Sequence, residues 1–204
     1  MNNNVKTSTG RMDVRKLVGC AMLSAVASIL MFFDFSVPLM PSFIKMDLSD
    51  LPALIGSFAY GPTAGVVISA LKNILHLITK GTSTGGVGEI SNFLLASFFV
   101  FPAGLIYKLN KTKKGALIGS LVGAVCMAVL SIFSNYFLVY PVYTNFMPME
   151  AIIGAYQAIN PKVQNLWQAL IMFNMPFTFV KGMLSLIVCM LVYKPLSPIL
   201  KGKN

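Results

Sequence analysis

The 204-residue sequence predicts an all-α integral membrane protein with six transmembrane helices, on three observations. Hydrophobic residues make up 56% of the chain and charged residues only 11%, against about 25% charged in a soluble domain, and mean hydropathy is +0.75. The length accommodates about six spans of roughly 20 residues with short connections. Basic residues also alternate with the apolar stretches. Lys6, Arg11, Arg15 and Lys16 precede the first, Lys108, Lys111, Lys113 and Lys114 cluster centrally, and Lys194, Lys201 and Lys203 follow the last. These are eleven of the sixteen basic residues, whereas five of the six acids (Asp34, Asp47, Asp50, Glu89 and Glu150) fall in or beside the opposite connections. The positive-inside rule then puts both termini and the central lysines in the cytoplasm. The same distribution argues against nucleic acid as the partner of a net charge of +10.

Residues 1–10 read as a disordered cytoplasmic tail and 11–204 as one membrane domain, its first helix a retained span rather than a cleaved signal. That span covers 17–33. Ala21 and Ala25, four apart with Gly19, Ser24 and Ser28 nearby, mark a face for close helix approach, either to a partner or within the bundle. Asp34 to Asp50 is an outward loop that is unusually apolar for water, so it reads as the lid or wall of a site. The next 29 residues are too long for one span. Gly61-Pro62 splits them into 51–60 and 62–79, because proline suits a first helical turn and lacks the amide an interior needs. After the glycine-rich turn GTSTGG come spans at 88–107 and 115–139. A long outward connection follows, with a short helix expected over Met149 to Ile159. The sixth span, 163–193, is expected to kink at Pro176.

Lysines inside spans carry most information, since a buried ammonium costs several kcal/mol unless it is paired or faces a polar cavity. Lys72 and Lys181 are both so placed. Helical spacing puts Trp167, Asn174, Thr178, Lys181 and Ser185 on one stripe. Lys181 lies roughly 18 Å above Tyr193 and Asn135 about 31 Å above Lys114, both in the outer half of the bilayer. A cavity there would present Asn135, Thr178 and Lys181 as hydrogen-bonding groups. Trp167, Tyr136, Tyr140 and Tyr143 either stack on a planar ligand or anchor at the interface. Asp47, Ser49 and Asp50 adjoin the lid, where they either contact ligand or cap the second helix, and Leu48 among them is expected to contact ligand. Ser69, Lys72, Asn73, His76 and Lys80 share a face, and Lys72 is expected to pair with Glu89 across the bundle unless it contacts ligand or couples an ion.

Several chemistries lack their residues. There is no GxxxxGK[ST], HExxH or GxSxG, and His76 has no partner at metal-ligand spacing. Cys20, Cys126 and Cys189 fall singly in apolar spans and read as buried thiols. The protein is expected to be neither an enzyme nor a carrier of a cofactor or metal.

The run MDLSDLPALIGSFAYGPTAGVVISALKNILHLI (Met46 to Ile78), with GEISNF (Gly88 to Phe93), FPAG (Phe101 to Gly104) and PFTFVKG (Pro176 to Gly182), resembles the riboflavin-binding, RibU-type S components of energy-coupling factor (ECF) transporters. The likeness covers most of residues 11–195. It implies an ECF S-component-like bundle in a bacterial cell membrane that takes riboflavin from outside, without settling whether FMN also binds. The partners it implies are a membrane T subunit, reached through Ala21 and Ala25, and two ATPases that supply the energy. It further implies that Asn135 and Lys181 bind the vitamin and that Thr178 stands where relatives commonly carry asparagine. The alternative from the residues alone is a self-sufficient ion-coupled transporter with Glu89, Lys72 and His76 as a charge relay.

Overall fold

The computed structural model describes residues 14–82 and 85–201. The expected tail over 1–10, Lys6, Arg11, Lys203 and the middle of the GTSTGG turn lie outside them. The chain forms α1 (Val14–Phe32), a two-stranded antiparallel ribbon of β1 (Phe35–Ser36) and β2 (Lys45–Met46), α2 (Asp50–Tyr60), α3 (Pro62–Lys80), α4 (Val87–Leu109) and α5 (Lys113–Tyr143). A short α6 (Met149–Gln157) and a long α7 (Leu166–Tyr193, continuing to Lys201) complete it. Five of these helices, α1, α3, α4, α5 and α7, are long and apolar enough to cross a membrane. With 11 residues, α2 is only about 16 Å long, and it is buried along nearly its whole length in the middle of the bundle.

The Gly61-Pro62 break falls where expected. Gly61 takes φ 104°, a conformation that glycine adopts without strain, and its N–H closes α2 on the Ser57 carbonyl at 3.0 Å. Pro62 then opens α3 at its first turn. Small residues let the neighbouring helices approach. A Cβ on Gly104 would stand 1.9 Å from Ser57 Oγ and 3.0 Å from Pro62 Cα, and one on Gly123 would stand 2.2 Å from the Phe99 carbonyl oxygen. The Ser57 hydroxyl donates to the Val100 carbonyl at 2.7 Å, binding α2 to α4. Along α1, Gly19 faces Tyr60, whereas Ala21 and Ala25 lie on the exposed side.

Two features depart from the expected helices. The apolar loop expected on the outer side contains strands, with Phe35 opposite Met46 and Ser36 opposite Lys45. This ribbon reverses the chain, brings Asp47 to Asp50 back into the bundle, and makes the loop a strap across one end. In addition, α5 and α7 each contain a π-helical turn, at Asn135–Val139 and Leu170–Asn174. Each closes with an i to i+5 bond, Tyr140 N–H to Asn135 and Met175 N–H to Leu170. Each ends immediately before a Tyr-Pro or Met-Pro pair, two residues short of Pro141 or Pro176. Proline cannot donate to the carbonyl four residues back, and the widened turn accommodates that gap. The irregularity expected at Pro176 therefore takes the form of a π turn on its N-terminal side.

The apolar core has two parts. One surrounds α2 and includes Leu54, Phe58, Ile68, Phe99 and Val100. The other gathers Ile132, Tyr140, Ile152, Tyr156, Leu166 and Leu170 beneath α6. A cavity lies under the strap, walled by residues from both regions.

Candidate functional site

Two lysines and two aspartates form a buried, charge-balanced chain at the heart of the site. Lys72 has no exposed surface; its ammonium donates to Asp50 at 2.5 Å and to the Ser49 hydroxyl at 2.7 Å. Asp50 also lies 3.6 Å from the Lys181 ammonium, which donates to Asp47 at 2.9 Å. Asp47 in turn accepts from the Ser49 backbone N–H at 2.8 Å. Burial by itself would push the Asp47 carboxyl up, but Lys181 and Lys72 hold it well below the ordinary carboxylate range. Hydrogen-bonded ion pairs of this kind are how charge persists in a low-dielectric interior.

This arrangement corrects the expected Lys72–Glu89 pair. The ribbon folds Asp50 onto the middle of α3, whereas Glu89 stays in the first turn of α4, one helical turn away near His76. There its carboxylate stands 3.7 Å from His76 Nδ1 and accepts from the Thr82 hydroxyl at 3.1 Å. The Glu89, Lys72 and His76 relay is therefore not assembled. Ser49, expected as a possible cap, spends its hydroxyl on Lys72 and makes no side-chain cap to α2.

The cavity has a volume of about 210 Å³ and is walled by the strap, α4, α5 and α7. Asp47, Asn135, Asn174, Thr178 and Lys181 all line it, together with Tyr140 and Tyr143. Asn135 belongs to the π turn of α5 and Asn174 to that of α7. Asn135 donates to the Ser131 carbonyl at 2.7 Å, and Asn174 accepts from the Tyr156 hydroxyl at 2.7 Å. Asn174, Thr178 and Lys181 are each at least nine-tenths buried. The walls thus combine flat apolar surface with a few fixed polar groups, the usual make-up of a small-molecule site.

Three of the expected positions stand elsewhere. Leu48 is half-buried beside the lining residues Asp47 and Asp50 but is not part of the wall. Tyr136 and Trp167 stack on each other, with ring centres 4.5 Å apart, and neither lines the cavity; Trp167 is 37% exposed. The physical reason is the π turn between Trp167 and Asn174. One residue added to a turn rotates everything before it by about 100°, so a spacing of seven no longer keeps a shared face. Residues that the sequence reading missed include Phe43, Phe177 and Tyr156. Phe177 carried a signal in its place beside Thr178. Phe43 and Tyr156 sit on segments whose return to the bundle no local periodicity encodes.

A family model described as "ECF transporter, substrate-specific component" matches residues 15–193. The chain is 34% identical over 188 residues to "Riboflavin transporter FmnP" of Bacillus subtilis (strain 168), covering 92% of this chain and 94% of that protein. It is 31% identical over 188 residues to "Riboflavin transporter RibU" of Staphylococcus aureus (strain TCH60), covering 92% and 93%. A solved structure, described as "Structure and mechanism of the S component of a bacterial ECF transporter", superposes with a TM-score of 0.72 at 29% identity, covering 92% of this chain and 98% of that one. On this evidence the chain belongs to the substrate-specific components of ECF transporters, a family of transport proteins and not of enzymes.

Proposed function

We propose that this chain captures riboflavin in the cavity beneath the strap and delivers it for uptake powered by partner subunits. The observation that carries the reading is the convergence of Asn135, Asn174, Thr178 and Lys181 with Tyr140 and Tyr143 around one buried space. Isoalloxazine needs flat apolar walls and a small set of polar groups for its heteroatom edge. The names of the similar transporters support the same ligand. At about 210 Å³ the cavity is below the ~300–1,000 Å³ of small-ligand pockets, so seating a flavin with its ribityl chain requires its walls to widen.

In this reading α2 joins the five long helices as a sixth membrane element. The strap faces the exterior of a bacterial cell, and the termini, with the Lys108 to Lys114 cluster, face the cytoplasm. Ala21 and Ala25, on the exposed side of α1, offer a small-residue surface to a T subunit, with two ATPases supplying energy. Riboflavin is cargo rather than cofactor. The test is a titration of the purified chain in detergent, followed by flavin fluorescence. Saturable quenching at one flavin per chain is expected, and no quenching would contradict the reading.

A further inference from the structure

A carboxamide is an ambiguous recognition group, with two donors on one atom and an acceptor on the other. Around this cavity the ambiguity is removed twice, in opposite senses. Asn135 gives its Nδ2 to the Ser131 carbonyl, leaving Oδ1 as the end available to an occupant. Asn174 is committed the other way, because its Oδ1 accepts from Tyr156 and Nδ2 remains.

The second commitment depends on a relay. A phenol has one proton, so Tyr156 can donate to Asn174 only while accepting from Tyr140, whose hydroxyl bonds its own. The order therefore runs from Tyr140 to Tyr156 to Asn174. Tyr156 comes from α6, in the connection between α5 and α7, and is fully buried. Its ring is gripped edge-on by Phe43 of the strap at 6.0 Å and at a tilt by Phe173 at 5.4 Å. Burial first, and the adjoining Tyr140 second, push the Tyr156 phenol well above the ordinary tyrosine range, so it stays a neutral donor.

We infer that Tyr156 is a positioning residue that sets the hydrogen-bond polarity of the cavity, holding Asn174 as a donor opposite Asn135 as an acceptor. That pairing selects a cyclic imide edge, in which carbonyl acceptors flank an N–H donor. The inference rests on the riboflavin reading, since isoalloxazine carries such an edge, and it names the feature of the ligand that the site reads.

The experiment compares dissociation constants of the purified full chain for riboflavin, 2-thioriboflavin and 4-thioriboflavin, because sulfur is a poorer acceptor than carbonyl oxygen. The wild type should bind one thio analogue about tenfold more weakly than riboflavin, the scale of one hydrogen bond. In Tyr156→Phe the Asn174 amide is free to turn, and the ratio should shrink to roughly twofold. Asn174→Ala should abolish the ratio, and adding Tyr156→Phe to it should change nothing further. Affinity that falls equally for all three ligands in Tyr156→Phe, with the ratio intact, would reduce Tyr156 to packing and overturn the inference. If Tyr156→Phe does not fold, a ratio that survives Asn174→Ala overturns it equally. A wild type that binds riboflavin and both thio analogues alike overturns this inference alone, whereas one that binds no riboflavin overturns the functional reading beneath it.

Discussion

Asp50→Ala is expected to destabilise the protein by about 3–5 kcal/mol, the range for removing one member of a buried ion pair. Asp50 lies between two buried ammonium groups. Its two carboxylate oxygens face Lys72 at 2.5 Å and Lys181 at 3.6 Å. Without it, Lys72 keeps, among the described residues, only the Ser49 hydroxyl as a hydrogen-bond partner in an environment with no exposed surface. One uncompensated ammonium is then left among apolar helices. Because native proteins are stable by only about 5–15 kcal/mol, the melting temperature in detergent should fall steeply. Lys72→Met introduced alongside Asp50→Ala removes one charge of each sign and should recover most of the loss. An Asp50→Ala protein as stable as the wild type would mean that the carboxylate does not neutralise the two lysines.

Lys181→Met is expected to weaken riboflavin binding by about 1–3 kcal/mol, the cost of an unmade buried hydrogen bond, and to lower stability as well. Two roles meet in this side chain. It lines the cavity, and it donates to Asp47 at 2.9 Å. The sequence reading treated Lys181 as a ligand donor; the structure shows that its charge is already balanced by protein. The double variant Lys181→Met/Asp47→Asn separates the roles, since it removes the ion pair evenly and leaves the Ser49 amide an acceptor at position 47. Stability should return while binding stays weak. Binding restored to wild-type strength would show that Lys181 acts only by holding Asp47.

The comparison of these residues with their sequence signals shows what local pattern can carry. Helix identity was legible because apolar runs of bilayer length admit few alternatives, and the Gly61-Pro62 break was legible because both residues act on backbone torsions. The stripe holding Asn174, Thr178, Lys181 and Ser185 lay on one helix, so α-helical spacing sufficed; all four are buried. Trp167 leaves that stripe because a π turn intervenes, and the sequence trace of that turn, Pro176, was taken for a simple kink. The partner of Lys72 was misjudged for a different reason. Asp50 was not considered, and only the ribbon between Phe35 and Met46, two residues per strand, returns it to the bundle. Tyr156 was unreadable, because its importance exists only through contacts with Tyr140 and Asn174 made after the chain has folded.

The central claim is that the space beneath the strap, rather than any other surface, receives the flavin. Leu95 lines that space from α4 and makes none of the polar contacts described above. Leu95→Trp fills the cavity while leaving the Lys72, Asp50, Lys181 and Asp47 chain in place. The decisive measurement is the riboflavin titration of this variant beside the wild type, with melting temperature as the control for folding. The account predicts saturable quenching by the wild type and none by a folded Leu95→Trp protein. Quenching with the same midpoint and amplitude in both would place the flavin elsewhere and contradict the account.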